Sequence, residues 1–271
     1  MLSFDGTDRK NQTTLSNEHQ LVATSEKFPN APIVEAILEF CVTLPQGLSD
    51  EKLWSFHNAI KEEYPDKKQR VQWTQHLQVP QAGGPLELGS TDKLNGHMFF
   101  SGDNKRVVQV TPISFAFSQL KPYDTWAVFK AEAKRIWEKY WVIMQPISIN
   151  RTSLRYINRI EIPFPVGELR DYCLLFPEFP MTMPQEVGNF FVRFESFDRE
   201  IGAMGVVTLA LEPIQPAVPF VVLIFDIDVG FLEGSMSSSP EETWAKFDLL
   251  RLYKNRIFHS NLTDRAKKLF A

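Results

Sequence analysis

The chain has 271 residues, 44% apolar and 23% charged, the mix of an ordinary soluble globular protein of one or two domains. Its 33 acidic and 29 basic side chains leave a formal charge of −4, which excludes a chain drawn onto phosphate backbones by its overall field and leaves only a local basic patch for that role. Two cysteines, Cys41 and Cys173, exclude a disulfide framework and a thiolate metal cluster.

Residues 1–28 are expected to form a flexible polar tail. Met1 to Lys27 are rich in Ser, Thr, Asn, Gln, Asp and Lys, with too little apolar surface to offset their ordering entropy and no stretch of signal-peptide length. Ile33 to Leu44 reads as a strand, bounded by Pro32 and Pro45-Gln46-Gly47. Ser49 to Tyr64 follows as a helix, with Leu53, Trp54, Phe56, His57 and Ile60 at helical spacing. Three strands are expected next: Val71 to Val79, His97 to Ser101, and Val107 to Phe117 with a kink at Pro112. The Gln81-Ala82-Gly83-Gly84-Pro85 stretch lacks the Lys-Ser/Thr of a phosphate cradle and reads as a turn. A long helix begins at Asp124 as N-cap and runs to Met144, with Trp126, Phe129, Ala133, Ile136, Trp137, Tyr140 and Met144 on one stripe.

The pattern then restarts. Ile149 to Ile162 is a strand, Val166 to Phe176 a shorter helix stopped by Pro177, and strands follow at Phe190 to Asp198, Met204 to Leu211 and Phe220 to Val229. The most apolar run, Val218 to Phe225, is far short of the roughly 20 residues of a spanning helix, so no membrane segment is expected. Ser239-Pro240-Glu241-Glu242 opens the last long helix, and Thr263 to Phe270 is a short terminal one. With no export signal, the cytoplasm is the expected compartment.

Two stretches repeat: Asp124-Thr125-Trp126-Ala127-Val128-Phe129 recurs as Glu242-Thr243-Trp244-Ala245-Lys246-Phe247, a shift of 118 that also carries Pro45 onto Pro163. The predicted architecture is therefore α+β, with two tandem β-α-β-β-β-α halves, 29–145 and 146–271. They would join into one curved antiparallel sheet with helices on one face, a saddle-like or helix-grip plan that leaves the other face open.

The densest polar constellation lies on the strand that opens the second half. Arg151, Ser153, Arg155, Ile157, Arg159 and Glu161 alternate on one face; Leu154, Tyr156, Asn158, Ile160 and Ile162 take the other. The first strand presents Glu35, Ile37, Glu39 and Cys41 on the matching face. If the two strands pair, Glu35 and Glu39 meet Arg155 and Arg159 in a charge ladder, each opposite-charge contact contributing about 0.2–1 kcal/mol. The functional reading is a fork of guanidiniums held on a rigid strand for a carboxylate or phosphate, or, with Arg151, for nucleic acid. Asp226 and Asp228 share a strand face and have the spacing to hold a divalent cation for phosphoester chemistry, although no third ligand is in view and a solvated strand end before Gly230 explains them as well. Nucleophile elbows and paired-histidine metal motifs are absent, both thiols sit in apolar segments, and no motif calls for a cofactor.

Asn30-Ala31-Pro32-Ile33-Val34-Glu35-Ala36, Leu154-Arg155-Tyr156-Ile157-Asn158-Arg159-Ile160, and Asn255-Arg256-Ile257-Phe258 leading to Leu262-Thr263-Asp264 resemble, in that order, a sporadically distributed prokaryotic family of similar length with no assigned activity. The resemblance covers the chain from Phe28 onward. It implies a compact cytoplasmic protein and an occurrence like that of mobile defence, toxin–antitoxin or immunity genes. The functional expectation is a non-enzymatic protein that engages a protein partner through the open sheet face; a metal-dependent phosphoesterase and a nucleic-acid binder are the alternatives.

Overall fold

The computed structural model describes residues 28–45, 48–78, 87–176, 180, 182, 189–213, 217–231 and 240–271; the expected tail, the turn at 81–85 and the Ser239 cap lie outside them. Among the described residues, nine strands form one open antiparallel sheet: β1 (Ile33–Thr43), β2 (Asp66–Gln78), β3 (Glu87–Phe100), β4 (Arg106–Val110), β5 (Ser114–Leu120), β6 (Ser148–Pro163), β7 (Phe190–Asp198), β8 (Ala203–Leu211) and β9 (Phe220–Phe231). Their order is β2-β3-β4-β5-β1-β6-β9-β8-β7. Helices α1 (Asp50–Ile60), α2 (Trp126–Met144), α3 (Pro240–Asn261) and α4 (Asp264–Lys267) complete the α/β framework. None of the described helices is long and apolar enough to cross a membrane.

The two strands that open the expected halves, β1 and β6, pair at the middle of the sheet. Period-two alternation decides their faces: Ala36, Leu38, Phe40 and Val42 on β1, with Leu154, Tyr156, Asn158, Ile160 and Ile162 on β6, are buried. The helices lie over this set. Phe40 stacks on Trp137 of α2 with ring centres 3.8 Å apart, and meets Trp244 and Phe247 of α3 edge-on at 5.5 and 5.1 Å. Further along, Phe225 of β9 stacks on Phe258 of α3.

Several boundaries differ from the sequence reading. Val107 to Phe117 is not one kinked strand but a hairpin, β4 paired with β5. Pro112 has no N–H for the ladder, and Thr111 closes the turn by accepting at Oγ1 from the Ile113 N–H while donating its own N–H to the Ser114 carbonyl. Val166 to Phe176 contains only the 3-10 turn Leu169–Asp171, because Gly167 takes a left-handed φ of +67° and the chain then closes a bridge from Cys173 to Leu262. β2 starts five residues early, in the polar run Asp66–Arg70, and β3 runs 14 residues from Glu87. The N-cap of α2 is Thr125, not Asp124: its Oγ1 accepts from the Val128 N–H. Residues 29–145 thus contribute five strands and residues 146–271 four, where four each were expected.

Candidate functional site

The helix-free face of β1 and β6 carries the predicted constellation, half-buried or exposed apart from Ser153, which is buried, and β9 extends it. The ladder expected between Glu35 and Glu39 and the arginines does not form, because the register sets Ile37 opposite Arg155 and puts Ser153 and Ile157 opposite the two glutamates. Arg155 turns the other way, towards β9. Its Nε and Nη2 donate to the two oxygens of Asp226 at 2.9 and 2.6 Å, a bidentate fork. Arg151 lies 3.8 Å from Asp228 Oδ1, while Arg159 pairs with Glu161 and, at 3.9 Å, with Glu212. Glu39 accepts from Ser153 Oγ.

This arrangement answers both readings of the arginines. They stitch strands together, as the ladder reading required, but with β9 and neighbouring residues as partners in place of β1. The guanidinium fork is occupied by the protein's own carboxylates and presents no surplus positive charge to a phosphate backbone. Asp226 is committed through both oxygens, and among the described residues no group of three or more His, Cys, Asp or Glu side chains is arranged to hold a metal ion. Asp228 is different. Burial pushes its carboxyl up against the pull of Arg151 and Arg155, and its Oδ1 is buried without a hydrogen-bond partner. Gly230 keeps Arg151 within reach, since a Cβ there would stand 3.0 Å from the guanidinium Nη2.

The two thiols differ in their surroundings: Cys41 is half-buried on the open face opposite Arg151, whereas Cys173 is buried. His57 stacks on Phe99 with ring centres 4.8 Å apart, and burial raises the Cys173 thiol to about 11, where it is unreactive at neutral pH. Asn158 donates to the Phe225 carbonyl at 2.8 Å and is a satisfied core amide.

Sequence reasoning missed a second constellation on the helix side. A cavity of about 520 Å³ is bounded by the segment before β1, the start of α2, the middle of β6 and the last turns of α3. All three segments quoted above for the family resemblance contribute to it, through residues that include Asn158, Asn255 and Phe258. Lys254 and Arg251 of α3 also line it, as do the hydroxyl-bonded pair Tyr123 and Tyr156, whose oxygens lie 2.9 Å apart. One signal was available: Phe247, Leu250, Lys254 and Phe258 fall on a single helical stripe, and a lysine in an apolar stripe asks for an explanation.

No protein-family model matches this chain, and no curated protein matches it. Among solved structures it is similar to the duplicated taurocyamine kinase from Schistosoma mansoni with bound transition state analog components, at 13% sequence identity and a TM-score of 0.33, over 90% of this chain and 36% of that one. The chain therefore spans little more than a third of that protein's length, and the likeness is too low to bear on activity.

Proposed function

We propose that this is a non-enzymatic binding protein whose helix-free sheet face engages a protein partner, and that the partner's docking surface is basic. The observation that carries the reading is the charge of that face. Over β1, β6, β7 and β9 it holds the carboxylates of Glu35, Glu39, Glu161, Glu195, Asp226 and Asp228 against the guanidiniums of Arg151, Arg155, Arg159 and Arg193, each arginine already paired with a carboxylate. A phosphate backbone finds no free cation there. A Lys- or Arg-bearing surface finds acid in excess there, six carboxylates against four guanidiniums. Ile37 and Ile157 sit among these charges, and Phe191 and Phe197, 70% and 60% exposed on the edge strand β7, supply aromatic anchors of the kind that dominate interface energetics. A basic toxin or effector held neutral by this face is the concrete form of the proposal, in keeping with the resemblance.

The scaffold itself is best read as two related halves about a pseudo-twofold axis. Support comes from two contacts between residues that the repeat spacing makes equivalent: Ile37 faces Arg155 across the central strand pair, and Lys130 donates to Asp248 between α2 and α3, the partners in each pair lying 118 residues apart.

Isolation from the native host tests the function. Wild-type protein should retain a stoichiometric partner through gentle purification. The double variant Phe191→Arg, Phe197→Arg should lose it at least tenfold, while Val142→Arg, on the exposed side of α2, should keep it. A clean monomer from the wild type, or equal loss in all variants, would overturn the reading.

A further inference from the structure

Lys254 is 8% exposed, and its Nζ lies 3.9 Å from the centre of the Tyr156 ring and 5.9 Å from that of Phe258. One helical turn earlier, the Arg251 guanidinium stands 6.0 Å from the centre of the Trp126 ring. Both cations face the cavity described above, and among the described residues neither has a carboxylate within ion-pair distance. Asp124, the one carboxylate of the lining, pairs with neither. Burying an ammonium without a counter-charge is costly, and a methionine would fill the same stripe without that cost. The Tyr123 and Tyr156 hydroxyls are bonded to each other, so one of the two protons serves that bond and the other remains for a further acceptor. The rest of the wall is largely apolar, with Phe28, Pro32, Ile33 and Trp126 prominent, and the volume falls in the range of small-molecule sites.

We propose that this cavity binds a small organic carboxylate, its head group accepting from Lys254 and Arg251 and its apolar body resting on Phe28, Ile33 and Trp126. The carboxylate supplies the counter-charge that Lys254 and Arg251 lack, and the free tyrosine proton gives a third donor. Guanidinium and ammonium together suit a single carboxylate, while the aromatic wall favours a hydrocarbon body over a hydrated one. The site is independent of the partner face: it lies on the opposite, helix-covered side of the sheet, so losing the partner would leave ligand binding intact.

Calorimetric titration of the full chain with phenylacetate, hexanoate and the uncharged 2-phenylethanol near pH 6.5 is the test. At least one carboxylate should bind with a Kd of about 1 mM or tighter, and the alcohol at least tenfold more weakly. Lys254→Met and Arg251→Gln should each weaken the carboxylate at least tenfold. Arg251 is only partly buried, so its variant keeps the test intact if Lys254→Met misfolds. The proposal is overturned if neither carboxylate binds, if the alcohol binds equally well, or if Arg251→Gln leaves affinity unchanged.

Discussion

Lys254 ties the chemistry of one side chain to the stability of the chain. Around it stand Arg251 and His259 of α3, Tyr156 of β6, and Tyr123 and Asp124 ahead of α2. Burial first, and then the like charge of Arg251, lower its amine from 10.5 to about 7. Between those values the unfolded chain holds a proton that the folded chain has released, so stability rises with pH across that window, with a limiting slope of about 1.4 kcal/mol per pH unit. Below it both states are protonated, and the folded protein bears the full cost of the buried cation. Lys254→Met should therefore be more stable than wild type at pH 6 in urea unfolding, with the gap closing towards pH 10; parallel pH profiles would refute this account. The effect was hard to see in sequence because α3 is rich in charge on every side. Lys246, Arg251, Lys254 and Arg256 look alike until tertiary packing singles one out, and only the Phe247-Leu250-Lys254-Phe258 spacing hinted at which.

Between elements, the end of α1 is clasped to α2 by polar contacts. The Tyr64 hydroxyl donates to Glu132 at 2.8 Å, and Arg135 donates to both Glu132 oxygens at 2.8 and 2.9 Å while reaching Glu63 beyond. Burial alone would raise the Glu132 carboxyl, but Arg135, Tyr64 and Arg106 outweigh it and hold it below the ordinary 4.5. A depressed acid stabilises the fold above its unfolded pKa and stops doing so as pH falls through the folded one. Glu132→Gln should cost about 1.5–3 kcal/mol near neutral pH and make the acid limb of the stability curve shallower, which urea titrations from pH 3 to 7 would detect. Elements of this kind were unevenly legible. β1 and β6 announced themselves because one face is buried and the other is not, so alternation survives in the residues. The start of β2, Asp66-Lys67-Lys68-Gln69-Arg70, belongs to an edge strand with little to bury and has no such alternation. The β4–β5 hairpin was missed because its turn is too short to interrupt the apolar run on either side of Pro112. The expected helix at 166–176 was a composition reading that Gly167 and the bridge at Cys173 overrode.

At the scale of the molecule, one aromatic side chain joins both helices to the central strands. Phe40 lies on β1, fully buried, stacked on Trp137 and edge-on to Trp244 and Phe247, with Phe115 of β5 tilted against it at 6.3 Å. Contacts from β5, α2 and α3 converge on it, so removing it disturbs both expected halves at once. The β1–β6 ladder runs from Ile33–Asn158 to Thr43–Ser148 with register shifts near its two ends, giving the expected halves a backbone seam as well as this shared core. Two units joined so closely should unfold together. Phe40→Ala is expected to cost about 3–5 kcal/mol, the range for emptying a buried aromatic site. It should lower the urea midpoint while leaving one transition and an unchanged m-value, recorded in parallel by tryptophan fluorescence and far-ultraviolet circular dichroism. Five of the six tryptophans, Trp54, Trp73, Trp126, Trp137 and Trp141, belong to the first expected half and Trp244 to the second, so separate melting would appear as two fluorescence transitions out of step with the dichroism. That outcome would mean that the seam and the Phe40 cluster do not couple the halves, and the sheet would then have to be treated as two abutting domains.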